Sequence, residues 1–257
     1  MRLLVKLGGT LLDAGESRGR LARELAQVAR QGHHLVVVHG GGKQMTRFLT
    51  QSGVESRFID GLRVTTPETI DAVLKVFAGS VNKQLVAALV GAGVQAVGLS
   101  GIDGCLVEAE LLRAELGQVG RPVRANAGLL DCLLAGGFLP VVACVAGDRQ
   151  GRIYNVNADQ MAVACAAAFK ADRLVFLTDV DGVLGAGKQR IPLLSLSAAE
   201  ALIADGVATG GMQAKLTSAG QALREGVPEV IIAPGAAEGV LGRLMGGEEL
   251  GTRMVRG

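Results

Sequence analysis

Aromatic residues are scarce in this chain of 257 residues. It has no Trp, one Tyr and six Phe, so Val, Leu, Ile and Ala must build the core. No run of basic residues stands out and the formal net charge is only +2, which argues against a nucleic-acid-binding surface. The four Cys form no CxxC pair and have apolar neighbours, so we expect buried, reduced thiols.

Targeting and membrane-spanning patterns are also absent. The chain opens directly on an apolar, strand-like run, residues 3–7, without the charged region, apolar region and cleavage site of a signal peptide. The apolar stretch 129–147 is interrupted by Asp131, Gly136, Gly137 and Pro140, which favours a helix, a turn and a buried strand over a membrane helix. With reduced thiols, these absences predict a cytoplasmic protein that has no membrane partner.

Short apolar strand patterns alternate with helical patterns along the whole chain. Buried strands are predicted over residues 3–7, 35–38, 94–99, 138–144, 173–178 and 229–233. Helices are predicted over residues 16–30, 43–51, 67–90, 126–134, 158–169, 198–204 and 212–224. Thr66 is the expected N-cap of the longest helix, with Pro67 at its first position.

This alternation predicts an α/β fold with a mostly parallel sheet and helices on both faces. Ligands of such sheets bind beyond the carboxyl ends of the strands. That edge carries the loops after Leu7, Val38, Leu99, Cys144 and Thr178. A soft boundary near residues 145–151 would divide the chain into two lobes.

Two glycine-rich loops follow the first two strands. Lys6 is followed by Gly8 and Gly9, and His39 by three glycines that lead into a helix. Consecutive glycines let backbone N–H groups turn toward one ligand, and a helix N-terminus adds partial positive charge. Either loop alone is as well explained by a tight turn, but the pair with Lys6 beside it predicts a phosphate site.

Residues 182–189 nearly match a P-loop. Gln189 stands where a Ser or Thr hydroxyl would bind Mg²⁺, and Pro192 follows soon after. The stretch therefore predicts the tip of a β-hairpin. Protein-kinase motifs, a GxSxG elbow and a GxGxxG after the first strand are all missing, and the three His have no metal-binding spacing.

Four further polar residues each have more than one explanation. Asp159 follows a plausible N-cap, Asn157, and could simply complement the helix dipole. Asn155 has no such structural explanation. Lys215, just after a glycine pair, is either a surface lysine or a phosphate ligand. Arg63 would face solvent by default, or could clamp a carboxylate.

Six motifs occur in order: KLGGT, HGGGK, GLRVT, NVNADQ, TDVDGVL and GGMQAK. Over residues 3–255 the chain thereby resembles the amino-acid kinase superfamily, and is most similar to its members that phosphorylate N-acetyl-L-glutamate in arginine synthesis. The resemblance implies a three-layer αβα sandwich with an open eight-stranded, mostly parallel sheet. It implies one domain, residues 1–257, in which residues 1–150 bind the acyl amino acid and residues 151–257 bind ATP.

The resemblance also implies catalytic roles. Lys6 and Lys215 would neutralise the transferring phosphoryl group, and Asp159 would orient both lysines. Phosphate oxygens would accept hydrogen bonds from the backbone N–H groups of Gly8, Gly9, Gly41 and Gly42. Mg²⁺ would be held mainly by ATP, without a metal site on the protein.

Substrate and nucleotide contacts follow from the same resemblance. Arg63 would hold the substrate's α-carboxylate and Asn155 would hydrogen-bond the substrate, with Gly41 and Gly42 on the substrate side. Residues 178–184 and 207–215 would line the nucleotide site. The residues expected to bind ATP are Gly8, Gly9, Thr178, Asp179, Gly182, Gly210 and Met212.

The resemblance leaves partners and alternatives to weigh. The chain starts at the first strand and lacks the extra N-terminal helix of hexameric relatives, so we expect a homodimer through the helix 67–90, without strong arginine inhibition. An alternative acceptor is carrier-protein-linked 2-aminoadipate or glutamate, for which Arg57 and Arg63 are the only obvious basic candidates. A non-catalytic nucleotide sensor is disfavoured because Lys6, Asp159 and Lys215 are all present.

Overall fold

A computed structural model describes all 257 residues. The strands are β1 Arg2–Leu7, β2 His34–His39, β3 Phe58–Ile59, β4 Leu62–Arg63, β5 Ala96–Ser100, β6 Val107–Leu111, β7 Val119–Ala125, β8 Leu139–Ala143, β9 Val145–Gly147, β10 Ile153–Val156, β11 Arg173–Thr178, β12 Leu193–Ser195, β13 Glu229–Pro234 and β14 Thr252–Val255. The α-helices are α1 Gly15–Arg30, α2 Gly42–Gln51, α3 Pro67–Val73, α4 Asn82–Gly91, α5 Gly128–Ala135, α6 Ala158–Phe169, α7 Leu196–Ala204, α8 Gly210–Arg224 and α9 Val240–Met245.

Eight strands form one open sheet in the order β12-β14-β13-β11-β1-β2-β8-β5. Only β13 and β14 pair antiparallel, and all other neighbours in this sheet are parallel. Strand β1 is buried from Leu3 to Leu7, as a strand covered on both faces should be. Lys6 is the one charged residue within that buried run, which marks it as a residue kept for a purpose other than packing.

Helices cover both faces of the sheet. Helices α1, α4 and α9 pack together on one face, and α6 and α8 pack together on the other. The largest fully buried side chains are mostly Leu, with Phe169 and Phe176 as the aromatic exceptions. The expected three-layer αβα sandwich with an open, mostly parallel sheet is therefore confirmed, as is its aliphatic core.

A small closed barrel, in the order β10-β7-β6-β9, stands at the carboxyl edge of the sheet. It lies there because β9 follows β8 after one residue and β10 leads into α6 after one residue. None of the strands predicted from the sequence indicated that β6, β7, β9 and β10 would close into a barrel. Since β10 pairs with β7 and β9, the barrel crosses the expected lobe boundary, and the division of ligands between lobes stays a prediction.

The predicted long helix runs from Pro67 to Gly91 as α3, a π-helical segment Leu74–Val81 and α4. Thr66 caps it, as expected, by accepting the N–H of Thr69 at 3.3 Å. The π-helical segment was not predicted. Such segments are often found at functional sites.

By length and apolar composition, the helix from Pro67 to Gly91 is the one helix that could cross a membrane. Of its most apolar 18-residue stretch, 39% is buried within the fold. Val73, Leu85 and Leu89 on it are fully buried against the rest of the fold. Asn82, also buried, hydrogen-bonds to His39 on β2. These contacts identify it as a core helix. The apolar stretch 129–147 folds as α5, a turn and β8, as predicted.

Candidate active site

The loops after several neighbouring strands emerge side by side at the carboxyl edge of the sheet. Strands β11, β1, β2 and β8 are adjacent and parallel, so the segments after Thr178, Leu7 and His39 share that edge. Helix α6 begins there, because β10 leads directly into it, and α8 packs beside α6. Five of the six sequence motifs are thereby brought near one another.

Asp159 lies between two lysines at this edge. Its Oδ1 is 2.7 Å from Lys6 Nζ and its Oδ2 is 3.8 Å from Lys215 Nζ. The side chain of Asn157 caps α6 by accepting the N–H groups of Asp159 and Gln160 at 2.9 and 3.2 Å. The capping explanation therefore accounts for where α6 begins, while the carboxylate of Asp159 is left to pair with the lysines.

The lysine–aspartate group is largely withdrawn from water. Lys6 and Asp159 are 8% and 7% exposed. Burial disfavours an ionised Asp159, but the charges of Lys6 and Lys215 outweigh burial and hold the pKa of Asp159 below its usual range. Two ammonium groups against one carboxylate leave net positive charge, so the site attracts an anion. Burial also raises the pKa of the neighbouring Cys144 to about 12, which leaves it a neutral thiol.

The two glycine loops meet beside these lysines. A Cβ added to Gly9 would lie 3.1 Å from Gly42 N and 3.5 Å from Gly41 N, so the close approach depends on the missing side chain. The N–H groups of Gly9, Gly41 and Gly42 have no acceptor within the protein, and α2 begins without a side-chain cap. Unpaired backbone donors at a helix N-terminus are suited to binding an anion.

Gly8 departs from its predicted role. Its N–H donates to the carbonyl oxygen of Leu177 at 3.0 Å and extends the pairing of β1 with β11. That N–H is not available to a phosphate oxygen, so the prediction that Gly8 donates it is wrong. A Cβ at Gly8 would lie 3.3 Å from the same carbonyl oxygen, and the close passage of another backbone explains the glycine.

Arg63 is buried rather than facing solvent. It is 8% exposed and stacks on Phe58, with its Cζ 4.6 Å from the ring centroid. It donates to Thr46 Oγ1 at 2.7 Å, to the Gly42 carbonyl at 3.2 Å and to the Ser56 hydroxyl. These contacts hold the β3–β4 hairpin against the start of α2. Further guanidinium N–H groups remain for a ligand carboxylate.

Thr65 connects the two residues that the sequence assigned to the substrate. Asn155 Nδ2 donates to Thr65 Oγ1 at 3.1 Å, and Thr65 Oγ1 donates to the Arg63 carbonyl at 3.0 Å. Thr65 is fully buried. Sequence reasoning gave it no role, although its place in the GLRVT motif was an available signal.

A cavity of about 480 Å³ opens beside Arg63. It is lined by Asp13, Gly42, Lys43, Thr46, Arg47, Phe58 and Arg63. Its cations outnumber its single carboxylate, and its size suits a small acidic metabolite. A larger cleft of 530 Å³ lies between β7, α6 and α8. Neither Lys6 nor Lys215 lines either cavity, but the smaller one contains Gly42 of the second glycine loop as well as Arg63, so it is the better substrate candidate.

The loop after β11 is shaped by its own contacts. The hydroxyl of Thr178 donates to Asp179 Oδ1 at 3.2 Å and accepts the N–H of Val180 at 3.3 Å. Gly182 has φ of 136°, and a Cβ there would lie 2.8 Å from Thr252 Oγ1, so glycine is required. Contacts of Thr178, Asp179 and Gly182 with a nucleotide stay predictions.

The segment that resembles a P-loop forms a hairpin tip, as predicted. Gly185 N–H donates to the Gln189 carbonyl and Lys188 N–H to the Gly185 carbonyl, both at 2.9 Å. Leu184 and Arg190 pair as an antiparallel bridge. The element that follows Lys188 is strand β12 and not a helix, so the strand–loop–helix arrangement of a P-loop is missing.

The start of α8 is open. Gly210 has φ of 53°, and no atom lies within 4 Å of a Cβ added to Gly210 or Gly211. Met212 N–H donates to the Thr209 carbonyl at 3.2 Å, and its side chain packs against the core. The space beside Gly210 suits a ligand near Lys215, and nucleotide contacts of Gly210 and Met212 stay predictions.

The fold and this site are those of one family: the chain belongs to the amino acid kinase family, whose model matches residues 1–234. Over 255 residues it is 63% identical to the acetylglutamate kinase of Solibacter usitatus (strain Ellin6076), covering 99% of both chains. It is 46% identical over 243 residues to the acetylglutamate kinase of Acidobacterium capsulatum (strain ATCC 51196), covering 94% of each.

Solved structures share the fold. The N-acetylglutamate synthase from Neisseria gonorrhoeae, complexed with coenzyme A and N-acetyl-glutamate, superposes with a TM-score of 0.88 at 26% identity. All of this chain is covered, but it spans only 59% of that protein. The smu.665 protein of Streptococcus mutans UA159 superposes with a TM-score of 0.84 at 26% identity, over 100% of this chain and 99% of that one.

Proposed function

We propose that this chain transfers the γ-phosphoryl group of ATP to the γ-carboxylate of N-acetyl-L-glutamate, a step of arginine biosynthesis. The observation that carries the proposal is the meeting of Lys6, Lys215 and Asp159 where the glycine loops converge. The chain is a kinase of the amino acid kinase family. Relatives of 63% and 46% identity over nearly their whole length bear the name acetylglutamate kinase.

The cavity beside Arg63 is the proposed acceptor site. Arg63 would hold the α-carboxylate of the acyl amino acid, since its guanidinium is already fixed by Phe58 and Thr46. Asn155, which Thr65 connects to Arg63, would hydrogen-bond the same molecule.

The reaction needs no general base. A γ-carboxyl group has a pKa of about 4.3 and is ionised at neutral pH. One of its oxygens attacks the γ-phosphorus, the bond from that phosphorus to the bridging oxygen of the β-phosphate breaks, and ADP leaves with the electron pair. The obstacle is that an anion attacks a polyanion, so positioning and charge stabilisation must supply the catalysis.

The residues of the site divide that task. Lys6 and Lys215 stabilise the negative charge on the transferring phosphoryl group, and Asp159 keeps the two ammonium groups in place. The free N–H groups of Gly9, Gly41 and Gly42 donate to phosphoryl oxygens. These donors are fixed by the fold before the substrates arrive, which is the arrangement that lowers a barrier of this kind.

Mg²⁺ is proposed to arrive with ATP. No group of three or more His, Cys, Asp or Glu side chains in the chain is placed to share a metal ion, and Asp159 is already paired with two lysines. The phosphates would therefore hold the ion, which would neutralise part of their charge. The nucleotide would lie against Gly9, Thr178, Asp179, Gly182, Gly210 and Met212.

A cytoplasmic homodimer is proposed, built on the long helix from Pro67 to Val90. Leu74 and Val86 on it are half-buried, and Val90 is 55% exposed. The helix packs on β5, an edge strand of the sheet, so a second copy would cover apolar surface and an open edge together. Light scattering after gel filtration should give twice 26.3 kDa; a monomer or a hexamer would contradict this.

One assay tests the acceptor. ATP turnover is compared with N-acetyl-L-glutamate, N-acetyl-2-aminoadipate, glutamate and aspartate, and the acyl phosphate is trapped as hydroxamate. We expect kcat/KM for N-acetyl-L-glutamate to exceed the others by roughly 10-fold or more, the usual effect of one methylene or one polar group. Preference for the aminoadipate analogue would favour the carrier-linked alternative, and ATP binding without any turnover would favour a sensor.

A further inference from the structure

The imidazole of His39 is buried directly below the second glycine loop. His39 ends β2 and is 0% exposed. Its Nδ1 lies 2.8 Å from the carbonyl oxygen of Gly40, and its Nε2 lies 3.0 Å from Asn82 Nδ2. A carbonyl oxygen can only accept, so Nδ1 carries the proton. Nε2 must then accept from the amide of Asn82.

Asn82 is oriented by a second hydrogen bond. Its Nδ2 also donates to the Val141 carbonyl at 3.0 Å, which places the amide nitrogen, rather than the amide oxygen, toward His39. Burial lowers the pKa of His39 to about 4, so its ring is neutral near pH 7. The neutral ring has a single N–H, and this arrangement commits it to Gly40.

The hydrogen bond from His39 Nδ1 to the Gly40 carbonyl oxygen sets the direction of the backbone N–H of Gly41. In a trans peptide the C=O and N–H groups point in opposite directions, and no peptide bond in the chain is cis. With the Gly40 carbonyl held by His39, the N–H of Gly41 points away from the imidazole. Gly41 N lies next to the glycine loop that follows β1: a Cβ added to Gly9 would be 3.5 Å from it.

That N–H group is unpaired although Gly41 is buried. Buried backbone donors nearly always have an acceptor, so an unpaired one at the edge of the lysine site indicates a ligand atom. The π-helical segment packs against the other side of Gly41, since a Cβ added to Gly41 would lie 2.9 Å from Phe77 and 3.2 Å from Val81. One stretch of the long helix therefore packs against Gly41 and presents Asn82 to His39.

We infer that His39 and Asn82 are positioning residues that aim the Gly41 N–H at the transferring phosphoryl group. The inference rests on the proposed function. Neither side chain touches the reacting atoms: His39 holds the Gly40–Gly41 peptide, and Asn82 holds the tautomer in which His39 can donate. The aimed N–H then acts as a fixed donor to charge that develops on the phosphoryl oxygens.

Two substitutions at position 39 separate positioning from packing. The amide nitrogen of an asparagine falls near the place of Nδ1, and that of a glutamine near the place of Nε2. His39→Asn therefore keeps a donor to Gly40, and His39→Gln loses it. We expect His39→Gln to lower kcat roughly 10- to 100-fold, as for a weakened oxyanion donor, while both KM values change by less than about threefold. His39→Asn should retain kcat within about threefold.

If kcat fell equally in His39→Gln and His39→Asn, the role of His39 would be packing alone. If only KM changed, the Gly41 N–H would not contact the transferring phosphoryl group. Either result would overturn the inference. Absence of wild-type turnover with every acceptor would count against the proposed function, whereas an active wild type with unchanged His39→Gln kinetics would count against this inference alone.

A second measurement does not need a folded variant. The chain has only three His, so the ring nitrogens can be resolved by ¹⁵N NMR of the wild-type protein. We expect one ring, fully protected from solvent, to stay neutral with its proton on Nδ1 between about pH 6 and 8. An Nε2–H tautomer or a charged ring at that buried position would contradict the inference.

Discussion

Asp159 Oδ1 lies 2.7 Å from Lys6 Nζ, although one residue opens a helix and the other lies within the central strand of the sheet. Lys215 approaches the other carboxylate oxygen at 3.8 Å. A single carboxylate thus holds together two ammonium groups that would otherwise repel each other. The site is arranged for an anion before any anion has bound.

Replacing Asp159 by Asn should damage both activity and stability. The change leaves two cations without their shared partner, so we expect kcat to fall about 100-fold. The free energy of unfolding should fall by about 3 kcal/mol, the low end for breaking a buried pair, because Lys215 can reach water. Hydroxamate formation and denaturant unfolding measure the two effects.

The matched control is Glu200→Gln, which breaks the pair of Glu200 with Arg224 on the surface, where both side chains are more than 50% exposed. That pair should contribute less than about 1 kcal/mol and nothing to kcat. Similar losses in Glu200→Gln and Asp159→Asn would show that neither the burial of Asp159 nor its second lysine partner adds to its effect.

Acid should remove the stabilisation that Asp159 provides. Burial raises the pKa of Asp159 but the two lysine charges lower it by more, so its folded-state pKa lies below its unfolded value. Such a group stabilises the fold above its unfolded pKa, about 3.9, and this is lost as the pH falls through the folded pKa. The difference in unfolding free energy between wild type and Asp159→Asn should be constant from about pH 6 to 8 and shrink below about pH 4. A difference that grows on acidification would be incompatible with the ion pair.

Each lysine should be needed for turnover. In Lys6→Ala and Lys215→Ala we expect kcat to fall roughly 100-fold or more, as when a fixed charge or oxyanion donor is removed. Arg224→Ala is the control, since the Arg224 side chain is half-exposed and pairs with Glu200 on the surface, and its kcat should be unchanged. Steady-state kinetics with saturating ATP measure all three; near-normal kcat in both site variants would remove the mechanism.

Arg63→Lys tests the acceptor site. Lysine keeps the charge but loses the stacking on Phe58 and the fork of donors that reaches Thr46 and Gly42. We expect KM for N-acetyl-L-glutamate to rise roughly 10- to 100-fold, the effect of losing a hydrogen bond to a charged group, with KM for ATP unchanged. Arg57→Lys, a change at an exposed arginine nearby, should leave both KM values unchanged; equal effects of the two changes would contradict the assignment.

Local pattern was enough to predict much of the framework. Strand β11 and helix α6 have the predicted bounds, because one is a continuous apolar run between turns and the other begins at an Asn cap. Lys6, Asp159 and Lys215 were also identified from motifs. Pattern alone could not say that Asp159 would pair with both lysines rather than serve the helix dipole.

Features that depend on distant partners were missed. Strand β14 and the closed barrel depend on pairing between segments remote in sequence. Gly8 was expected to donate to phosphate, but the register of β1 with β11 assigns its N–H to Leu177. The burial of Arg63 likewise follows from Phe58 and Ser56 folding over it, which no local pattern reveals.

The central claim is that both lysines and the glycine loops surround one transferring phosphoryl group. The most direct test is a crystal structure with MgADP, aluminium fluoride and N-acetyl-L-glutamate, in which the planar fluoride stands for that group. We predict that Lys6 Nζ, Lys215 Nζ and Gly41 N each lie about 3 Å from a fluorine atom of the aluminium fluoride group, or from one of the ADP and carboxylate oxygens on either side of it. A fluoride group bound elsewhere, with either ammonium group well beyond hydrogen-bonding distance, would contradict the account.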